Sequence, residues 1–154
     1  KKDTIGKVKF DSIIITDFDE SLKSVTTSLF YTDISPKEKY FITLNQWFDE
    51  SLLDESSSQP IYFPSINREN YVYFVKEYHK KFNEYPNQLS FLSFDLVGLV
   101  YYLLFQNNLI VDEQIFLKKN MFKGKIGIFE IKDNKINHIL NFYKIENKKF
   151  KKIF

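Results

Sequence analysis

Residues 10–30 read FDSIIITDFDESLKSVTTSLF, and this stretch decides the fold class. Ser12 to Thr16 is a short β-branched run bounded by acidic residues, the pattern of a buried parallel strand. Asp19 stands where a helix cap is expected, and Leu22, Val25, Thr26, Leu29 and Phe30 then recur on one helical face. A strand running straight into an amphipathic helix is the first half of a β-α-β unit.

The pattern continues outward. Ser35-Pro36 ends the helix, and Tyr40 to Leu44 reads as a second strand. Asp49 to Gln59 is polar, with room for about one helical turn. Ile61 to Phe63 reads as a third strand closed by Pro64. Asn67 caps an amphipathic helix in which Tyr71, Phe74, Val75, Tyr78 and Phe82 follow helical spacing. Ser90 to Gln106 is apolar nearly all round, as for a helix between layers. Asp112 caps a shorter helix ending near Asn120. Lys125 to Lys132 and Lys135 to Ile145 are extended segments joined by a two-residue turn at Asp133-Asn134. The order β-α-β-β-α-α-α-β-β predicts an α/β lobe with a mainly parallel sheet flanked by helices and a C-terminal β-hairpin.

Composition narrows the function classes. The 154 residues fit one domain, and apolar residues at 44% support a single core. Twenty-two basic against twenty acidic residues leave a net charge of +2, no footprint for nucleic acid. Lys148, Lys149, Lys151 and Lys152 form one basic cluster, read as a solvated terminal segment. Without cysteine there is no disulfide, thiol catalyst or thiolate metal site. The run Leu96 to Phe105 is too short to span a bilayer. A chain starting at Lys1 without Met reads as a processed protein or an excised piece.

Several short patterns add a resemblance. Phe74, Tyr78, Phe82 and Pro86 keep the spacing F-x-x-x-Y-x-x-x-[FY]-x-x-x-P, and Phe94-Asp95-Leu96-Val97 stands where Tyr-Asp-Ala-Val is usual. Phe122 to Phe129 (FKGKIGIF) resembles an F-x-G-x-x-G hairpin entry. Phe10-Asp11-Ser12-Ile13 resembles an FD-[AS]-[IV] strand entry, and Leu44 to Asp49 a G-T-x-x-W-x-D loop. In this order the patterns resemble the C-terminal lobe of type I periplasmic solute-binding proteins of the leucine/isoleucine/valine-binding family. The penicillin-binding-protein activator lipoproteins, of the same fold, are a close second comparison.

The resemblance implies a non-catalytic module whose partner, the N-terminal lobe, is missing from this chain. It implies a small amino-acid-like solute held between lobes for ABC-type uptake, or a membrane or cell-wall protein partner, with no nucleic acid and no cofactor. A periplasmic location in a Gram-negative bacterium follows, with a lipid anchor on the full-length protein as a further expectation. Ligands of open α/β sheets sit beyond the carboxyl ends of the strands. Here those ends are Asp17-Phe18 and Asn45-Gln46-Trp47. In the family the first loop offers an aromatic ring, which Phe18 matches. The second offers an acid for the ligand ammonium, and Asn45 and Gln46 depart from that; Asp17 is the substitute charge.

Two other chemistries compete. Ile13 to Ser21 resembles the D-x-D-x-S nucleophile motif of haloacid-dehalogenase phosphatases, with Asp17 as nucleophile and Mg²⁺ held by carboxylates. Asp112-Glu113 would be its later acidic pair, although it reads better as a helix cap. Trp47-Phe48 in a polar loop could instead be an exposed anchor for a protein partner. Neither His79 nor His138 has a spaced ligand partner.

Overall fold

The computed structural model describes residues 9–44, 47–133 and 135–154, with the side chain of Gln88 also left undescribed. The protein is mixed α/β, with a mixed sheet of five strands and a second, antiparallel sheet of three. The chain divides into two compact units. One comprises residues 1–65 and 142–154, and the other, residues 66–141, is inserted between them in sequence.

The first unit holds β1 (Ser12–Ile15), α1 (Asp19–Tyr31), β2 (Tyr40–Thr43), β3 (Ile61–Ser65), β7 (Asn141–Glu146) and β8 (Lys149–Lys152). Its sheet runs in the order β1-β2-β3-β7-β8. β1, β2 and β3 are parallel, with Ser12 opposite Tyr40 and Phe41 opposite Ile61. β7 and β8 form an antiparallel pair. Parallel pairing thus covers three strands rather than most of the sheet structure. Phe41 is fully buried, which contributes roughly 2–3 kcal/mol of apolar transfer. Leu22 and Thr26 supply the buried face of α1, and Ser58 Oγ donates to Thr26 Oγ1 at 3.0 Å, tying that helix to the polar loop.

Helix α1 lacks the expected aspartate cap. Phe18 has the extended backbone of a cap residue (φ −132°, ψ 163°), and an aromatic ring offers the free N–H groups no acceptor. Asp19 is the first helical residue, at φ 49°. Pro64 lies within β3 instead of closing it, since proline's φ suits an extended strand. The polar loop forms two 3-10 turns, Glu50–Leu53 and Ser56–Ser58.

The basic tail is structured, not a free solvated segment. Ile145 pairs with Phe150 across β7 and β8, and the Phe150 ring packs edge-on to Phe48 at 5.3 Å. Burying that ring on alternate positions leaves Lys149 and Lys151 to the other side; Lys151 Nζ reaches Glu146 at 2.6 Å. The Lys151 ammonium, with that of Lys144, holds the Glu146 carboxyl below its usual pKa.

The second unit holds α2 (Arg68–Phe82), α3 (Gln88–Gln106), and β4 (Asn120–Lys123), β5 (Ile128–Lys132) and β6 (Lys135–Ile139) in order β4-β5-β6. Asn67 caps α2 as expected, accepting from the N–H of Asn70 at 3.0 Å. The helix expected after Asp112 is one 3-10 turn, Glu113–Phe116; Asn120–Lys123 is then drawn into a strand by pairing with β5. The expected terminal hairpin exists as β5-β6, with Lys132 opposite Lys135. Its second segment is divided, however. β6 belongs to the small sheet and β7 to the large one, with Leu140 between them.

Helix α3 is covered on one face only, not packed between layers. Phe91, Asp95, Leu99 and Leu103, spaced by four, are buried. Leu99 and Leu103 form a core with Ile115 and Ile131, against which Phe122 packs. By length and composition alone, Leu89–Gln106 is long enough to cross a bilayer, contrary to the estimate from Leu96–Phe105. Its buried stripe is already occupied by this unit's own residues.

Candidate functional site

The parallel register fixes where the cleft candidates lie. Ile15 stands opposite Thr43, and the N–H of Leu44 donates to the carbonyl of Ile15 at 3.4 Å. Residues following β1 and β2 therefore emerge at one end of the sheet. Asp17 and Phe18 leave β1 there, and Trp47 follows β2. Asn45 and Gln46 lie outside the described residues.

Phe18 is 45% exposed, far more than an aromatic recruited to a core, and Asp17 beside it is half-buried. The carbonyl of Phe18 accepts from the N–H of Leu22 at 3.1 Å, so its backbone is held by the first turn of α1 while its ring stays open. Trp47 is half-buried.

Phe48 is no exposed anchor. It is 5% exposed, with its ring edge-on to Tyr143 at 5.0 Å and Phe63 at 5.8 Å. The polar neighbours of Phe48 suggested a surface loop, but β7 and β8 supply the aromatic partners that bury it. The same contacts fix the loop that carries Trp47. Asp49 is spent locally, accepting from both the N–H (2.9 Å) and the hydroxyl (2.7 Å) of Ser51.

A second constellation lies within the inserted unit. Asp95 is 2% exposed, a burial that requires compensation for its carboxylate. Its Oδ1 accepts from the N–H of Lys125 at 2.9 Å, and its Oδ2 from the N–H groups of Ile126 and Gly127, each at 3.0 Å. Three successive amides converge on one side chain, the arrangement of an anion nest with a built-in anion. A side chain at Gly124 would collide with that carboxylate, which is why this position needs glycine. The G-x-x-G spacing is thus a device for wrapping a loop on Asp95.

Gly127 has a separate reason. A methyl group there would strike Nε2 of His138, which stacks on Phe129 with ring centroids 4.4 Å apart. His138 Nε2 is buried without a hydrogen-bond partner, and burial pushes the imidazole pKa below its ordinary value against the smaller opposing pull of Asp95. His79 stacks on Tyr85 at 4.7 Å. Among the described residues, no three His, Asp or Glu side chains come together as metal ligands.

Sequence reasoning missed Gln59. It is buried, donates through Nε2 to the carbonyls of Leu52 (3.1 Å) and Leu53 (2.9 Å), and accepts at Oε1 from the N–H of Lys148 (3.0 Å). One side chain therefore ties the polar loop to the β7-β8 turn. No local pattern marks such a residue, because its partners are close only in the folded chain.

The comparisons are negative. No family model, curated protein or solved structure matches the chain. The functional reading therefore rests on the residues themselves.

Proposed function

We propose that this chain is a non-catalytic ligand-binding lobe, the C-terminal lobe of a type I periplasmic solute-binding protein. The observation that carries the reading is the exposed Phe18 ring beside Asp17 at the carboxyl end of parallel strand β1. In that role Phe18 covers the apolar part of an amino-acid-like solute, and Asp17 faces its ammonium group. Trp47, which directly precedes the anchored Phe48, is the second aromatic of this reading. A second lobe supplies the carboxylate contacts, and uptake through an ABC-type permease follows in the periplasm of a Gram-negative bacterium, with the full-length protein lipid-anchored. The wrapping of residues 125–127 around Asp95 supports the comparison by giving the two spaced motifs one structural purpose.

A second reading is that the protein activates a cell-wall synthase, and Trp47 favours it as an amphipathic contact residue. Thermal shift on the gene-length protein with a panel of amino acids separates the two. A ligand at about one hundred times its Kd adds roughly 2.7 kcal/mol of stability. Stabilisation by a branched amino acid, lost in Phe18→Ala, is the expected result and sinks the activator reading. No stabilisation by any amino acid sinks the solute reading. Mg²⁺-dependent phosphatase activity that disappears in Asp17→Asn overturns both.

A further inference from the structure

Within the inserted unit, α2 and α3 enclose an open groove of about 1130 Å³. Its floor is aromatic and aliphatic: Phe74, Tyr78 and Phe82 from α2 face Phe94, Val97 and Tyr101 from α3. Several of these are open to solvent although the groove is apolar. Val97 is 69% exposed, and Tyr101 and Phe82 are also exposed. Isolated surface apolar residues need no explanation, but a concave, contiguous set does.

The rim is charged with one sign in excess. Lys80, Lys81 and Lys125 line the groove against the single carboxylate of Glu77. Among the described residues no ion pair neutralises any of these lysines. Two of them lie over groove rings: Lys125 Nζ sits 5.7 Å from the Phe94 centroid and Lys81 Nζ 5.4 Å from that of Phe82. Backbone bonds to Asp95 fix the loop that carries Lys125, so this cation is positioned in advance.

We propose that this groove docks an amphipathic helix of a partner protein, one whose apolar stripe is flanked by carboxylates. Size favours this occupant. Two turns of helix about 10 Å wide and 11 Å long fill on the order of 900 Å³, whereas a single acyl chain leaves most of the groove empty. Shape argues against a bilayer, since a flat surface cannot enter a cleft between two helices. Charge sets the polarity: an excess of lysines around an apolar floor matches acidic residues flanking an i, i+3, i+4, i+7 stripe. The proposal is independent of the solute-binding reading, because every residue it uses belongs to the inserted unit.

The test uses the 154-residue chain and three probes. One is a synthetic 18-residue amphipathic helix with Leu and Phe on one face and Glu at the flanks. The second has Lys at those flanks, and the third is a set of vesicles of zwitterionic lipid with 30% anionic lipid. The acidic peptide should bind with Kd on the order of 10 μM, with amide shifts confined to α2, α3 and residues 124–127. Val97→Asp should weaken it at least tenfold, and Lys80→Glu/Lys81→Glu/Lys125→Glu about tenfold. All four side chains are exposed, so unchanged far-UV spectra and thermal midpoints are expected. Equal binding of both peptides, binding untouched by Val97→Asp, no peptide binding, or association with vesicles alone would each overturn the proposal.

Discussion

The carboxylate of Asp95 in the middle of α3 holds the N–H of Gly127, thirty-two residues later, at 3.0 Å. The same oxygen takes the N–H of Ile126, and its partner oxygen takes that of Lys125. Removing the acceptor leaves three amides facing an apolar helix. Asp95→Ala should therefore lower stability by roughly 3 kcal/mol, and Asp95→Asn by somewhat less because one amide oxygen remains. Urea unfolding measures this, and a loss below about 0.5 kcal/mol would refute the nest as a structural anchor.

Gly127→Ala should cost about 1–3 kcal/mol, because its methyl meets a ring already pinned by Phe129. Combining it with His138→Ala removes the obstacle. A double-mutant cycle should return a favourable coupling energy, and strict additivity would show that the clash is relieved elsewhere.

His138 also sets a pH dependence. Burial lowers its folded pKa below 6.5, so between that lowered value and about 6.5 the unfolded state binds more protons. Stability then rises with pH through this window and falls as acid is added below about pH 6.5. Unfolding midpoints measured from pH 7.5 to 5 should fall less steeply in His138→Phe than in the parent. Parallel curves would show that His138 does not drive the change.

The β7-β8 turn offers a stabilising change. Asn147 and Lys148 both have positive φ, 53° and 57°, the signature of a two-residue hairpin turn that suits asparagine and glycine but not lysine. Lys148→Gly should add about 0.5–1 kcal/mol. Its exposed contact with Asp54 at 3.4 Å opposes this only weakly. Destabilisation in thermal melts would mean that the contact outweighs the backbone strain.

Gln59→Leu should cost about 2–3 kcal/mol, since three polar partners lose their bonds and none is replaced. Protease cleavage within residues 50–58 should accelerate, as that loop is freed from the β7-β8 turn. Unchanged cleavage would place the stabilisation elsewhere.

Local chemistry made much of this fold legible. The parallel strand at Ser12–Ile15, the spacing of Leu22 and Thr26, and the Asn67 cap each act within a few residues and stand where the sequence puts them. But β1 is an edge strand with Ile14 63% exposed, not the buried strand its β-branched run predicts. The β5-β6 pairing is equally local, although Asn134 of its expected turn lies outside the described residues. Other features were not legible. Lys135 to Ile145 contains no Gly or Pro and reads as one extended segment, so no turn residue marks the change of sheet at Leu140. Phe48 and Phe150 stand among polar and basic neighbours, and only the folded chain brings them together, more than one hundred residues apart, with Phe63 and Tyr143 to bury Phe48.

The candidate site divides in the same way. The placement of Asp17 and Phe18 after a parallel strand follows from sequence, because strand ends and loops are local. Which aromatic stays open is tertiary: Phe18 remains exposed while Phe48 is enclosed by Tyr143 and Phe150. The sequence by itself determined the first three strands, the two long helices, the Asn67 cap and the glycine spacing, all set by short-range hydrogen bonding and hydrophobic period. Only the tertiary structure decided that Asp95 is the reason for Gly124, that Gln59 ties loop to turn, and that one face of α3 stays open. Those outcomes depend on which distant surfaces meet, and periodicity carries no record of that.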